Sequence, residues 1–455
     1  MLPRWLTTLL LVVILGAGLA LRLVLTPHGV YQGDAQTFRS WAAQMMHAPL
    51  SSFYASSPTA DHLPGDLWFL WGIAHLYHLF SPSLNLQSFG FLFLLKLVPS
   101  IADTIVGLML FIVARSFAGA RAGLLGAALF MFNPASIFLS ATWGQWDSVS
   151  AAFMLLGLWL VLRGSPEWSL PFLTYASLIK PQLALLIAIA AIVWWRWFIQ
   201  PNGDQDQARA RGNWRGRTAR LAISALLSFG VFLAVDLPFG VGLPLFPTRW
   251  TIFGRATDAL NRYQSISANA FNLWGVFGQS SNMNTVSDSK ILFAGLSYQA
   301  WGTLLLAAAV LIALTLLWLR PTPEMALWAA LAITFSLFML PTRIHERYLM
   351  PAVVLALLVA AIAPGLRWVG IALSLTYFAN IFFVYHYYGE FNFGRQQSPS
   401  NLIPLGISTV NLFLFVIVFA SGFILVHAQR HSAQTPSDPL LDRPLGTNAG
   451  SGATG

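Results

Sequence analysis

Asp34, in Tyr31-Gln32-Gly33-Asp34, is a carboxylate placed soon after the chain's first long apolar run. A carboxylate there can take a proton from an acceptor hydroxyl, the work of a general base. It can equally sit solvated in a loop or cap a helix. Asp61 and Asp66 follow in Asp61-His62-Leu63-Pro64-Gly65-Asp66. They can shape a substrate cleft or hold a metal; a capped turn is the plainer alternative, with Asp66 suited to a helix N-cap. Asp147 closes Trp143-Gly144-Gln145-Trp146-Asp147. Rings that stack on the apolar face of a sugar, beside an amide and a carboxylate for its hydroxyls, suit a saccharide. Tryptophan is also common at membrane interfaces without any catalytic reason.

Three cations complete the candidate chemistry. Lys180, Arg343 and Arg347 suit a lipid-linked phosphate, because guanidinium grips phosphate oxygens bidentately; binding of ordinary anionic headgroups is the alternative. Lys96 and Asp103 lie seven residues apart in one apolar stretch, a spacing that puts them on one helical face as a structural polar pair. His345-Glu346 opens like the zinc motif H-E-x-x-H, but position 349 is Leu349, so a zinc protease is excluded. The sequence has no G-x-x-x-x-G-K-[ST] loop and no G-x-S-x-G elbow, which excludes an ATP-driven transporter with its nucleotide domain in this chain. Cysteine is absent, so neither disulfides nor thiolate chemistry enter.

The elements that must position these residues are membrane helices. Of 455 residues, 56% are hydrophobic and 9% charged, against about a quarter charged in soluble domains. Neither a disordered chain nor a soluble core fits, and a polytopic membrane protein does. The formal charge of +9 is therefore read through topology rather than nucleic-acid binding. Arg4 precedes an apolar run from Leu6 to Leu25, which passes the small-residue site Gly18-Leu19-Ala20 and is expected to stay as an uncleaved first span. Arg22, near its end, is expected to snorkel. Residues 26–66 read as loop, and the short stretch 67–80 as an interfacial or re-entrant helix. Further spans are expected near 89–113, 121–140, 148–163, 219–240, 298–319, 325–341, 350–364, 366–388 and 402–426. Residues 169–195 form a pair of short helices turning at Lys180-Pro181-Gln182.

This makes an all-α bundle of about twelve spans. Its transmembrane domain is 1–426, with outer loops 26–88 and 241–297 and a cytoplasmic basic loop 196–218; a disordered cytoplasmic tail, 427–455, follows. Arg115, Arg121, Arg163, Arg320, Arg367 and the arginines between Arg196 and Arg220 all fall inside when both termini are cytoplasmic. Every chemically unusual segment then falls on the outer face.

In order along the chain, these segments resemble the GT-C superfamily of integral-membrane glycosyltransferases, in particular bacterial proteins related to the second mannosyltransferase of GPI-anchor synthesis (the PIG-V-like group). The resemblance covers roughly residues 5 to 390. It rests on Gly33-Asp34, Lys96 with Asp103, Asn133-Pro134, Trp143 to Ser148 and Lys180-Pro181-Gln182. Ser267 to Trp274 and His345-Glu346-Arg347-Tyr348-Leu349-Met350-Pro351 complete it. It implies transfer of a hexose, often mannose, from a polyprenyl-phosphate carrier at the extracytoplasmic face of a bacterial plasma membrane, with inversion. Asp34 matches the base position. Relatives often add a second acidic residue in that loop; Ala35 stands here, so Asp61, Asp66 or Asp147 would supply it. Lys180, Arg343 and Arg347 are expected on the donor phosphate. Asp61, Trp143, Gln145, Asp147, Gln182, Asn269, Asn272, His345, Glu346 and Tyr348 are expected to line the substrate. No cofactor is required, and a divalent metal is compatible with the site. The acceptor, whether lipid, glycan or protein, is left open. So are a flippase of lipid-linked saccharides and a polysaccharide ligase or polymerase.

Overall fold

A computed structural model describes residues 2–196, 214–245, 248–277, 284–390 and 402–434. Most of the basic loop 196–218 and residues 435–455 of the expected tail lie outside the described residues. Among the described residues the fold is helical, with two small two-stranded pairings, Val241–Gly242 with Trp250–Thr251 and Ile291–Phe293 with Leu296–Ser297.

Among the described residues, six helices are long and apolar enough to cross a membrane: Arg4–Leu25, Phe89–Met131, Arg215–Phe239, Tyr298–Leu319, Pro364–Tyr387 and Leu402–His427. That is half the expected count, and the reasons are local. Residues 89–131 form one continuous helical run that holds parts of two expected spans, broken only at Ala118 and Gly119, where Gly119 takes φ +80. Asn133-Pro134 stops the helix that was expected to reach residue 140, with Asn133 Oδ1 accepting from the Ala135 amide at 2.8 Å. Asp147–Leu162, Pro181–Trp194 and Pro323–Met339 are apolar but short, and Met350–Ile362 has only 13 residues. Backbone breaks at Lys180-Pro181 and before Glu346 shorten these segments where polar residues enter.

The loop expected over 26–66 is largely folded. Gln32–His47 is a 16-residue helix that buries Phe38, Trp41, Ala42 and Met45. These side chains pack with Phe53, Tyr54, Leu67, Leu70, Phe91 and Trp146 in an apolar cluster of their own. The helix Pro64–Phe80 contributes to the same cluster and is too short to join the six. Its N-cap position is Leu63, so Asp66 sits within the first turn rather than capping it. The larger core centres on Pro323–Met339 and Met350–Ile362, both almost wholly buried. At the far end the last helix runs on to Gln434, into the segment expected to be tail.

Two buried cations fix the route from the first helix to Asp34, and both depart from expectation. Arg22 does not snorkel: it is fully buried and pairs with Asp103 at 2.6 Å. Its guanidinium also donates to the Gly18 carbonyl at 3.0 Å, the Met131 carbonyl at 2.8 Å and Ser136 Oγ at 2.9 Å. A charge in hydrocarbon must find partners inside the bundle, and Arg22 finds four. Lys96 therefore does not pair with Asp103. Its Nζ donates to the carbonyls of Thr26 at 2.9 Å and Gly29 at 2.6 Å. The first helix ends at Leu25, so Lys96 holds the exit strand that leads to the Gln32–His47 helix.

Candidate active site

The site is built where the chain cannot continue a regular helix. After Asn133-Pro134 the backbone widens into a π-helical turn over Phe138–Trp143, ended by Gly144 at φ +91. Such turns redirect side chains and concentrate at functional sites. The positive φ favours glycine there, and a Cβ on Gly144 would stand a tight 3.3 Å from Lys96 Cγ. The turn presents Trp143 and Gln145 to Asp34, which lies in the first turn of Gln32–His47. Asp34 Oδ2 accepts from Trp143 Nε1 at 2.8 Å and from Gln145 Nε2 at 2.5 Å. The Tyr31 ring stacks on Trp143 with centroids 4.9 Å apart.

These groups line a cavity of about 820 Å³, shared with Asp61, His62, Arg262, Tyr263, Asn269, His345, Glu346 and Arg347. That volume falls in the range of small-molecule sites. A second, smaller cavity of about 80 Å³ shares Asp61, His62, Gln145, Tyr263, His345 and Arg347, and adds Asp66, Asp147, Lys180, Gln182 and Tyr348. Thirteen expected residues thus meet around two adjoining spaces: Asp34, Asp61, Trp143, Gln145, Asp147, Lys180, Gln182, Asn269, Arg343, His345, Glu346, Arg347 and Tyr348.

The far wall is assembled by pairing two loops. The Ala268 amide donates to the Ile344 carbonyl at 2.9 Å, which seats Asn269 against His345. Asn269 has φ +72, a conformation asparagine tolerates better than most side chains. His345 precedes a short 3₁₀ turn, Glu346–Leu349, that aims Glu346 and Arg347 inward. Burial favours the neutral carboxyl of Glu346, yet His345 and Arg347 outweigh it and hold its pKa below the ordinary range. Burial likewise acts on Asp61, whose pKa is nevertheless held low by His62, Arg262 and Arg347. Burial raises the Tyr31 hydroxyl to about 12, helped by the charge of Asp34, so Tyr31 remains a neutral donor.

The cations are less free than the sequence suggests. Lys180 Nζ lies 2.5 Å from Asp147 Oδ1 and 4.3 Å above the Tyr348 ring centroid. Arg343 touches the smaller cavity, but its guanidinium is taken up elsewhere. It binds Asp288 through Nε at 2.6 Å and Nη2 at 3.2 Å, and Asn261 through Nη1 at 2.5 Å. It also has φ +67, which for an arginine is held only by such over-determination. Arg343 thus clamps the loop through Asp288 and Asn261. Asn272 also departs from expectation: it is fully buried, donates to the Phe338 carbonyl at 3.1 Å and accepts from the Trp274 amide at 3.1 Å. It shapes the Ser267–Trp274 segment and lines neither cavity.

Among the lining residues that were not sequence candidates are Tyr31, His62, Arg262 and Tyr263. Tyr31 and His62 stand beside flagged carboxylates, which was the available signal. Arg262 and Tyr263 follow the amphipathic helix Ile252–Asn261 and carry no motif. Among the described residues, no group of three or more His, Asp or Glu is arranged to hold a metal ion. No family model matches the chain, and no curated protein matches it.

Proposed function

We propose that this chain is a membrane-embedded glycosyltransferase. It moves a hexose, with mannose the expected sugar, from a polyprenyl-phosphate carrier to an acceptor hydroxyl at the extracytoplasmic membrane face, with inversion at C1. The observation that carries the reading is the placement of Asp34. One oxygen is fixed by Trp143 and Gln145, and the carboxylate borders a polar cavity beside Arg347 and Arg262. A base so held is pre-aligned for an acceptor hydroxyl, and the Tyr31–Trp143 stack offers an aromatic wall to a sugar. The guanidinium groups opposite offer hydrogen bonds to the phosphate as the C1–O bond breaks. Six helices among the described residues are long and apolar enough to cross a membrane, which suits a donor whose prenyl tail stays in the bilayer while its phosphate reaches the site. The reading asks for no cofactor.

The test is turnover of the purified protein in nanodiscs with polyprenyl-phosphate mannose or glucose and a total lipid extract, with products read by mass spectrometry. A hexose-shifted acceptor and free polyprenyl phosphate are expected. Donor recovered intact while demonstrably bound would overturn the reading and favour a flippase of lipid-linked saccharides. Transfer only from a lipid-diphosphate oligosaccharide would favour a ligase or polymerase.

A further inference from the structure

The proposed reaction leaves one need unmet. A phosphate leaving group gathers charge, and the cations around the two cavities each already face a carboxylate. Lys180 faces Asp147 at 2.5 Å, Arg343 faces Asp288 at 2.6 Å, Arg347 faces Glu346 at 3.4 Å and Arg262 faces Asp61 at 3.6 Å. These pairs cancel one another's charge, so the site offers hydrogen bonds to a phosphate but little net positive field. A proton delivered to the leaving oxygen would close that gap.

Two imidazoles border both cavities, His62 and His345, and His62 holds the closer carboxylate. His62 borders both cavities, whereas Asp34 borders the larger alone and Lys180, Asp147 and Tyr348 the smaller alone. His62 is thus one of six residues, with Asp61, Gln145, Tyr263, His345 and Arg347, that reach both the cavity of Asp34 and that of Lys180. Its Nδ1 is bonded to Asp66 Oδ2, four residues on. The first turn of Pro64–Phe80 sets that spacing. Trp41 and Phe38 meet the ring edge-on, with centroids 5.1 and 5.7 Å away, and fix its plane. The side chain remains 22% exposed, and Nε2 has no recorded protein partner among the described residues. Burial opposes the charged ring, but the charge and hydrogen bond of Asp66, aided by Asp61, outweigh it and raise the pKa.

We infer that His62, oriented by Asp66, is the proton donor to the leaving phosphate; the inference rests on the transferase reading above. The C1–O bond to phosphate breaks and its electron pair stays on the phosphate oxygen, which takes the Nε2 proton. The acceptor oxygen bonds to C1, and its proton passes to Asp34. The products are the glycosylated acceptor and a polyprenyl hydrogen phosphate. Solvent returns one proton from Asp34 to His62, so the sum balances. Inversion asks for base and acid on opposite sides of C1, and Asp34 and His62 reach the larger cavity from different elements, the first turn of Gln32–His47 and the segment before Pro64–Phe80.

The test compares the unmodified protein, His62→Gln and Asp66→Asn in the nanodisc transfer assay across pH, with donor affinity measured by tryptophan quenching. The charged or titratable groups facing His62 are Asp61 and Asp66 on its own segment and Arg347 on the 346–349 turn; Arg262 and Tyr263 stand beyond Asp61. Helix Gln32–His47 turns only the non-ionisable Phe38 and Trp41 onto the ring. His62→Gln is expected to lower kcat by about 100-fold or more, the usual worth of a proton donor, with donor affinity within threefold. The unmodified protein should lose kcat as pH rises through the His62 pKa, and His62→Gln should lack that limb. Asp66→Asn should move the limb to lower pH. A His62→Gln kcat within threefold of the unmodified protein, or a loss of donor affinity parallel to kcat, would overturn the inference. If His62→Gln does not fold, as judged by its melt, an unmoved limb in Asp66→Asn overturns it instead. Absence of transfer by the unmodified protein would defeat the parent reading rather than the assignment of His62 alone.

Discussion

Replacing Asp103 by asparagine removes the carboxylate from a fully buried pair and leaves Arg22 charged inside the bundle. Arg22 keeps three other acceptors, the Gly18 and Met131 carbonyls and Ser136 Oγ, and an asparagine oxygen can still accept one bond. Breaking one side of a buried pair costs about 3–5 kcal/mol; the surviving partners place Asp103→Asn near about 3 kcal/mol. The double variant Arg22→Met/Asp103→Leu removes both charges and fills the space with apolar atoms. It should return to within about 1 kcal/mol of the unmodified protein. Unfolding in mixed micelles by increasing SDS, followed through tryptophan fluorescence, gives both values. The consequence reaches the site, because this pair ties the first helix to the 89–131 run and to Ser136 just before the π-helical turn. Asp103→Asn should therefore also lower transfer. An Asp103→Asn protein as stable as the unmodified one, or a double variant worse than either single change, would refute this account of the pair.

Two further outcomes separate the roles of residues that the sequence grouped together. Gln145→Leu removes one of two hydrogen bonds to Asp34, of the charge-assisted kind worth about 1.5–3 kcal/mol. It should lower kcat roughly 10- to 100-fold with donor affinity unchanged, and kinetics with separately measured binding checks this. Arg343→Met strips Asp288 of its guanidinium and leaves that buried carboxylate with Thr342 Oγ1 at 2.8 Å. A stability loss of about 3 kcal/mol with donor affinity within twofold is expected in the SDS titration and quenching assay; a large affinity loss without destabilisation would restore Arg343 as a phosphate ligand.

Much of the site was legible because its residues break the surrounding apolar rule. Trp143, Gln145 and Asp147 interrupt a helix, Lys180 precedes a proline, and Glu346 and Arg347 lie between buried helices; each costs too much in lipid to be incidental. Their convergence needed only the helices to return to one end. What failed were inferences about partners. Spacing put Lys96 and Asp103 on one face, but each found a nearer partner in the first helix and its exit, which no periodicity reveals. Arg343 looked like a free cation because Asp288 lies 55 residues away in sequence. The Gln32–His47 helix was missed because its buried face, Phe38, Trp41, Ala42 and Met45, is diluted by polar residues. The span count failed because hydropathy does not see where Asn133-Pro134 or Lys180-Pro181 stops a helix.

The central claim is that Asp34 takes the acceptor's proton in a hexosyl transfer. The direct measurement is single-turnover transfer from polyprenyl-phosphate mannose by the unmodified protein and by Asp34→Asn in the same nanodiscs, with donor binding recorded in parallel. The account predicts a hexosylated product from the unmodified protein, a rate lowered by about 100- to 10,000-fold in Asp34→Asn, and equal donor affinity. Equal rates in the two proteins would contradict it.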